Sequence, residues 1–148
     1  RTEKDRQAIR AALHDGTLDA IATDHAPHSV LQKEVEFNLA ANGIAGLETS
    51  LPLSLALVRD GVIDPVRLVE LMSCNPSAIL GVAGGSLHLG AVADVTVINP
   101  DKQFTFAAAE SYSKGKNTPF DGWTLKGKAV LTFLAGKITY RDFSTSGK

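Results

Sequence analysis

Cysteine is nearly absent: Cys74 is the single one in 148 residues. One thiol excludes an internal disulfide and fits a reducing cytoplasm. An excess of either charge is missing too, with 15 Lys plus Arg against 16 Asp plus Glu and a formal net charge of -1. Without a basic excess there is no electrostatic case for nucleic acid, and without a charge block none for a charged tail. No apolar run is long enough to span a bilayer, and no signal-peptide pattern opens the sequence. Internal repeats and low-complexity tracts are also missing. What remains is a soluble globular chain, long enough for one real core or two small half-domains. These absences say nothing about its chemistry.

What is present centres on Asp19-Ala20-Ile21-Ala22-Thr23-Asp24-His25-Ala26-Pro27-His28. A run of small apolar residues ends abruptly in one carboxylate and two imidazoles, with Pro27 stiffening the backbone between them. Apolar residues bounded by polar ones suit a strand buried on both faces of a parallel sheet, and functional groups of such sheets gather at the carboxyl ends of the strands.

The flanking pattern is α/β at first. Thr2 with Asp5 forms a capping-box pattern, Ile9, Ala12 and Leu13 recur at helical spacing, and Gly16 is placed to end that helix. Leu18 to Thr23 reads as the strand and residues 24–43 as a long loop. From Gly46 a helix apolar nearly all round is expected, with Gly61 just past its end. Asp64-Pro65 and Asn75-Pro76 each place a capping side chain before a proline, predicting helices over 65–73 and 76–80. After Gly84-Gly85 the pattern turns to β: strands over 93–99 and 103–106, then a hairpin of 128–133 and 137–140 turning at Leu134-Ala135-Gly136. The expected division is therefore 1–83, 84–141 and a flexible tail, 142–148. A lone parallel strand leaves both edges unpaired, so its partner strands are expected in a longer polypeptide, of which this is the carboxyl-terminal part. Arg1 running straight into a helix pattern agrees with that.

Asp24 has two readings: a carboxylate capping the following turn, or a metal ligand that also moves a proton. His28 is either an ordinary loop histidine or a hydrogen-bond donor to a substrate carboxylate. His25 points to the opposite side from Asp24 if strand geometry persists, which favours a structural role. His14 and His88 read as surface residues, and Cys74 as a packed thiol. Asn42-Gly43 is a turn, or a place where backbone groups approach a ligand closely. Lys114 to Phe120 has no phosphate-loop pattern and reads as an ordered connector.

Ile21 to His28 resembles the last-barrel-strand motif of dihydroorotases, in the cyclic amidohydrolase superfamily. The likeness continues in order through Gly43–Thr49, Met72–Ser77, Gly90–Val97, Ser113–Phe120 and Gly136–Ile138. The resemblance implies the last strand and helices of a (β/α)8 TIM-type barrel followed by part of a small β-sandwich. It implies interconversion of N-carbamoyl-L-aspartate and dihydroorotate in pyrimidine synthesis, with Asp24 as zinc-site carboxylate and general acid/base. His28 would hold the substrate carboxylate, and Asn42 and Gly43 would contribute substrate contacts. One or two zinc ions, a homo-oligomer and an association with aspartate transcarbamoylase are further expectations, as is a cytoplasmic location. The histidine pair and bridging group of the family's metal centre are not in this sequence, so these residues alone are expected to be inactive. Two alternatives stay open: an allantoinase or hydantoinase, and a metal-free scaffold for aspartate transcarbamoylase.

Overall fold

A computed structural model describes residues 2–142. The chain begins with helix α1 (Glu3–His14), whose capping box is formed as expected. Thr2 N–H donates to Asp5 Oδ2 at 2.7 Å and Asp5 N–H to Thr2 Oγ1 at 3.3 Å. The Thr2 N–H, joined by the Thr2 hydroxyl donating to the same Oδ2 at 2.9 Å, holds the Asp5 carboxyl below the usual carboxylate range.

Leu18–Thr23 is not a paired strand among the described residues. A ladder needs a neighbour, and here helix residues take some of the backbone groups that one would occupy. Arg67 Nη2 donates to Leu18 O at 2.8 Å, Asn75 Nδ2 to Asp19 O at 2.9 Å, and Ile21 N–H to Leu71 O at 2.9 Å. Residues 24–43 contain one short helix, α2 (Val30–Lys33), begun by a capping box between Ser29 and Gln32.

The apolar helix starts later than expected, as α3 (Ser50–Arg59), after a segment in which the N–H groups of Gly46 and Leu47 donate to His25. It buries Pro52, Ser54 and Leu55, while Leu47 stays exposed. The two helices expected over 65–73 and 76–80 are one continuous run: α4 (Pro65–Val69), a π-helical segment (Glu70–Cys74) and α5 (Asn75–Leu80). Asp64 caps α4 through Arg67 N–H at 2.7 Å, as its sequence predicts. Asn75 does not cap. Pro76 lacks an N–H and its ring crowds the carbonyl four residues back, and the helix widens just before it, with Asn75 N–H reaching Glu70 O. The Asn75 side chain is thereby left for Asp19 O. Gly81 ends α5 in the left-handed conformation.

The β half is a three-stranded antiparallel sheet in the order β1-β2-β3: β1 (Val95–Thr105), β2 (Thr124–Leu134) and β3 (Lys137–Arg141). The two strands expected before residue 107 are one strand with an irregularity between Asn99 and Gln103 rather than a turn. The β2–β3 hairpin turns at Ala135 and Gly136, both at positive φ. Asp142, expected to open a frayed tail, is held: its N–H donates to Val130 O at 2.9 Å and its carboxylate accepts from Lys102 Nζ at 2.7 Å. Residues 143–148 of that tail lie outside the described residues.

Two apolar clusters hold the chain. Leu13, Leu55, Ile63, Leu68 and Leu71 form one; Phe106, Ala108 and Leu125 form the other. α3 stands between them, with Leu51 and Leu55 in the first and Leu53 against the second. The connector from β1 to β2 packs back on the loop that carries Asp24 and His28.

Candidate active site

The site is built from two loop segments laid side by side. Ala26 N–H donates to Ile44 O at 2.9 Å, setting Asp24–His28 against Asn42–Gly46. Asp24 sits at φ 44°, in the left-handed region. Among the described residues the other non-glycine at positive φ is Ala135, which a hairpin turn explains. Such strain gathers at functional positions, and Asp tolerates it better than most residues. The Asp24 side chain is exposed, and His28, four positions on, is half-buried.

His25 has a structural role. Gly46 N–H and Leu47 N–H both donate to its Nδ1 at 3.2 Å. An N–H can only donate, so Nδ1 carries the lone pair and the neutral ring has its proton on Nε2. Neither nitrogen is then available to a metal. His28 is held by Nε2, 2.9 Å from Asn42 O. A carbonyl can only accept, so Nε2 donates and Nδ1 is left for a ligand.

Asn42 and Gly43 are brought beside His28, but their carbonyls are engaged within the chain. Asn42 O takes His28 Nε2, and Gly43 O accepts from Lys33 Nζ at 3.1 Å and Asn117 Nδ2 at 3.3 Å. Gly43 is at φ 97°, and a Cβ there would lie 2.6 Å from Ala26 Cβ. Close approach of the two loops therefore requires glycine at this position.

Asn117, inside the Ser113–Phe120 stretch, reads in the sequence only as part of a connector, yet it is bonded to both site loops. It donates from Nδ2 to Ala26 O at 2.9 Å and accepts at Oδ1 from His28 N–H at 2.8 Å. The connector it belongs to is ordered, as expected, with Gly115 buried against His28. His14 and His88 are exposed; His14 bonds to Val62 O, 48 positions along the chain, and His88 to the nearby Ser86 Oγ. A recess of about 630 Å³ around His14, Asp64, Arg67 and Glu70 shares no residue with this pair of loops.

Among the described residues no group of three or more His, Cys, Asp or Glu side chains could hold a metal ion. The chain offers the Asp24 carboxylate and the Nδ1 of His28, short of the three or four ligands zinc takes. By itself it does not fit a zinc centre.

A mixed α/β chain with a carboxylate at positive φ and an imidazole four positions on, in a loop laid against a second one, has clear relatives. Residues 1–139 match the model of the Amidohydrolase family, and the chain belongs to that family. It is 69% identical over 140 residues to a dihydroorotase from Desulfotalea psychrophila, covering 95% of this chain and 33% of the relative. Identity is 57% over 141 residues to a dihydroorotase from Geobacter sp. strain M21, with 95% and 33% covered. Among solved structures, an L-hydantoinase (dihydropyrimidinase) from Arthrobacter aurescens matches with a TM-score of 0.88 at 33% identity, covering 95% of this chain and 33% of that one. The chain spans about a third of the length of the curated relatives it matches.

Proposed function

We propose that the chain is one piece of a zinc-dependent dihydroorotase, interconverting N-carbamoyl-L-aspartate and (S)-dihydroorotate in pyrimidine synthesis. The observation that carries this reading is the 69% identity, sustained over 140 residues, to a protein named dihydroorotase. In the complete enzyme Leu18–Thr23 would be the last strand of a (β/α)8 barrel and the β half part of a small sandwich. The half-unpaired extended segment supports that, as does the exposed apolar set Leu31, Phe37, Leu39, Leu87 and Leu89, which further chain would cover. The small-molecule substrate and the remainder of its own polypeptide are the partners this reading needs; self-association, a contact with aspartate transcarbamoylase and a cytoplasmic location are further parts of it. Among the described residues no helix is long and apolar enough to cross a membrane.

Asp24 acts as general acid/base: it accepts a proton from the attacking water and returns it to the ring nitrogen as the ring amide C–N bond breaks. His28 meets the substrate carboxylate through Nδ1, its Nε2 being fixed on Asn42 O. Nδ1 donates to a carboxylate when the ring carries both protons. Since the carbonyls of Asn42 and Gly43 are engaged, their contact with substrate runs through N–H groups. Zinc, as one or two ions, would take Asp24 as one ligand and draw the rest from residues outside this chain. The isolated 148-residue chain is accordingly expected to open no dihydroorotate ring and to carry no stoichiometric zinc. Robust turnover, with zinc found by elemental analysis, overturns the reading of it as one piece.

His28→Ala in the full-length enzyme is expected to raise KM for dihydroorotate by about tenfold to a hundredfold and leave kcat nearly intact, since a charged hydrogen bond contributes roughly 1.5–3 kcal/mol. Steady-state kinetics checks this; a fall in kcat with unchanged KM removes His28 from carboxylate binding. The likeness to hydantoinase structures supports a second reading, a hydantoinase- or allantoinase-type amidohydrolase. An imidazole at His28 suits an acidic substrate, so a panel of cyclic ureides separates the two: preference for allantoin or a hydantoin over dihydroorotate reverses the choice. A non-catalytic scaffold would show no turnover of any of them in full-length form.

A further inference from the structure

Asn117 lies on the connector between β1 and β2, 91 positions from Ala26, yet it joins both site loops. Both ends of its amide are engaged. Oδ1 accepts from His28 N–H at 2.8 Å, while Nδ2 donates to Ala26 O at 2.9 Å and Gly43 O at 3.3 Å. Its backbone carbonyl accepts from Ala45 N–H at 2.9 Å. Pro27 has no N–H, so the backbone from Ala26 to His28 cannot continue a regular ladder, and one side-chain amide takes the polar groups on either side of it.

The connector is itself fixed at both ends. Glu48 Oε1 accepts from Tyr112 N–H at 2.9 Å and Ser113 N–H at 3.3 Å. At the other end Phe120 packs into the second apolar cluster, edge-on to Trp123 with ring centroids 5.2 Å apart. Between them, Gly115 lies so close that a Cβ would fall 2.7 Å from His28 N and 2.8 Å from His28 O.

We propose that Asn117 is a positioning residue: it fixes the Ala26–His28 backbone against Gly43–Ala45, and so sets where the imidazole of His28 meets the substrate. The β half thereby helps determine substrate affinity without touching substrate. The KM arm of the test rests on the dihydroorotase reading; the exchange arm does not.

The test uses the full-length zinc-loaded enzyme with Asn117→Ala and Asn117→Asp. Alanine leaves His28 N–H, Ala26 O and Gly43 O without this partner. Aspartate keeps an acceptor for His28 N–H but turns an oxygen toward two carbonyls. Each is expected to raise KM for dihydroorotate about tenfold, with kcat and zinc content close to wild type. Hydrogen exchange of the His28 amide should quicken by about tenfold or more in the alanine variant while amides of β2 keep their protection. A kcat/KM within about twofold of wild type overturns the proposal, as does unchanged exchange at His28. Loss of protection throughout β2 in both variants also overturns it, because the role would then be global stability. If wild-type enzyme fails to turn over dihydroorotate, the dihydroorotase reading falls, and exchange at His28 still decides the positioning role.

Discussion

Asp24→Asn in the full-length enzyme should lower kcat by about a hundredfold to ten-thousandfold, the range that one well-placed acid/base supplies. Asparagine keeps the size of the side chain and loses its proton-accepting oxygen. It is also the substitution that best preserves the local backbone, since Asn shares with Asp a tolerance for the left-handed conformation seen at φ 44°. A fall in rate can then be assigned to chemistry rather than to relaxed strain. KM should change little, because the interaction lost is one made during bond breaking. Zinc content measured on the same preparation separates the two roles of the carboxylate. Retained zinc with lost kcat isolates proton transfer, whereas parallel loss of both shows Asp24 acting chiefly as a ligand. A rate near wild type would remove the acid/base assignment.

Features set by neighbours along the chain are legible in the residues alone. Thr2 with Asp5, Asp64 before Pro65, Gly81 after α5 and the Ala135-Gly136 turn each follow from rules spanning about four residues, and each is present. Ser29 and Gln32 carry the same capping-box signal, which marks α2 inside the long loop. Features that depend on distant partners are not legible in this way. Leu18–Thr23 has a strand's composition, but pairing belongs to a neighbour and not to a segment. Asn75 resembles a cap because Pro76 follows it, yet the helix runs on through a widened turn and the amide goes to Asp19 O.

The site divides in the same way. The types and spacing of Asp24 and His28 are visible in the sequence, and the strained φ of Asp24 is the structural mark that the pattern does not supply. What seats them is hidden there, because His25 is fixed from Gly46 and Leu47, and His28 from Asn42 and Asn117. The Asn42-Gly43 pair reads as a turn or as a place of close approach to a ligand. Its carbonyls hold the loops together, which makes Gly43 as much a part of the framework as of the site.

Gly43→Ala is therefore expected to have a large structural effect at the site. At φ 97° an alanine is strained wherever it sits, at about 1–3 kcal/mol. Its Cβ would also lie 2.6 Å from Ala26 Cβ, an atom fixed to the backbone and unable to rotate away. Either the Ala26–His28 segment retreats, breaking Ala26 N–H to Ile44 O and Asn117 Nδ2 to Ala26 O, or the strain stays in the folded state. Both routes should lower the unfolding midpoint of the full-length enzyme in urea and cut kcat/KM by about tenfold or more. The double variant Ala26→Gly/Gly43→Ala separates the two contributions, since it removes the opposing Cβ and leaves the φ strain. Partial recovery of stability and activity is the expected result, and the coupling between the two positions measures the overlap directly. If Gly43→Ala alone unfolds at the wild-type urea concentration with full activity, the two loops are not in the close contact from which the site has been built.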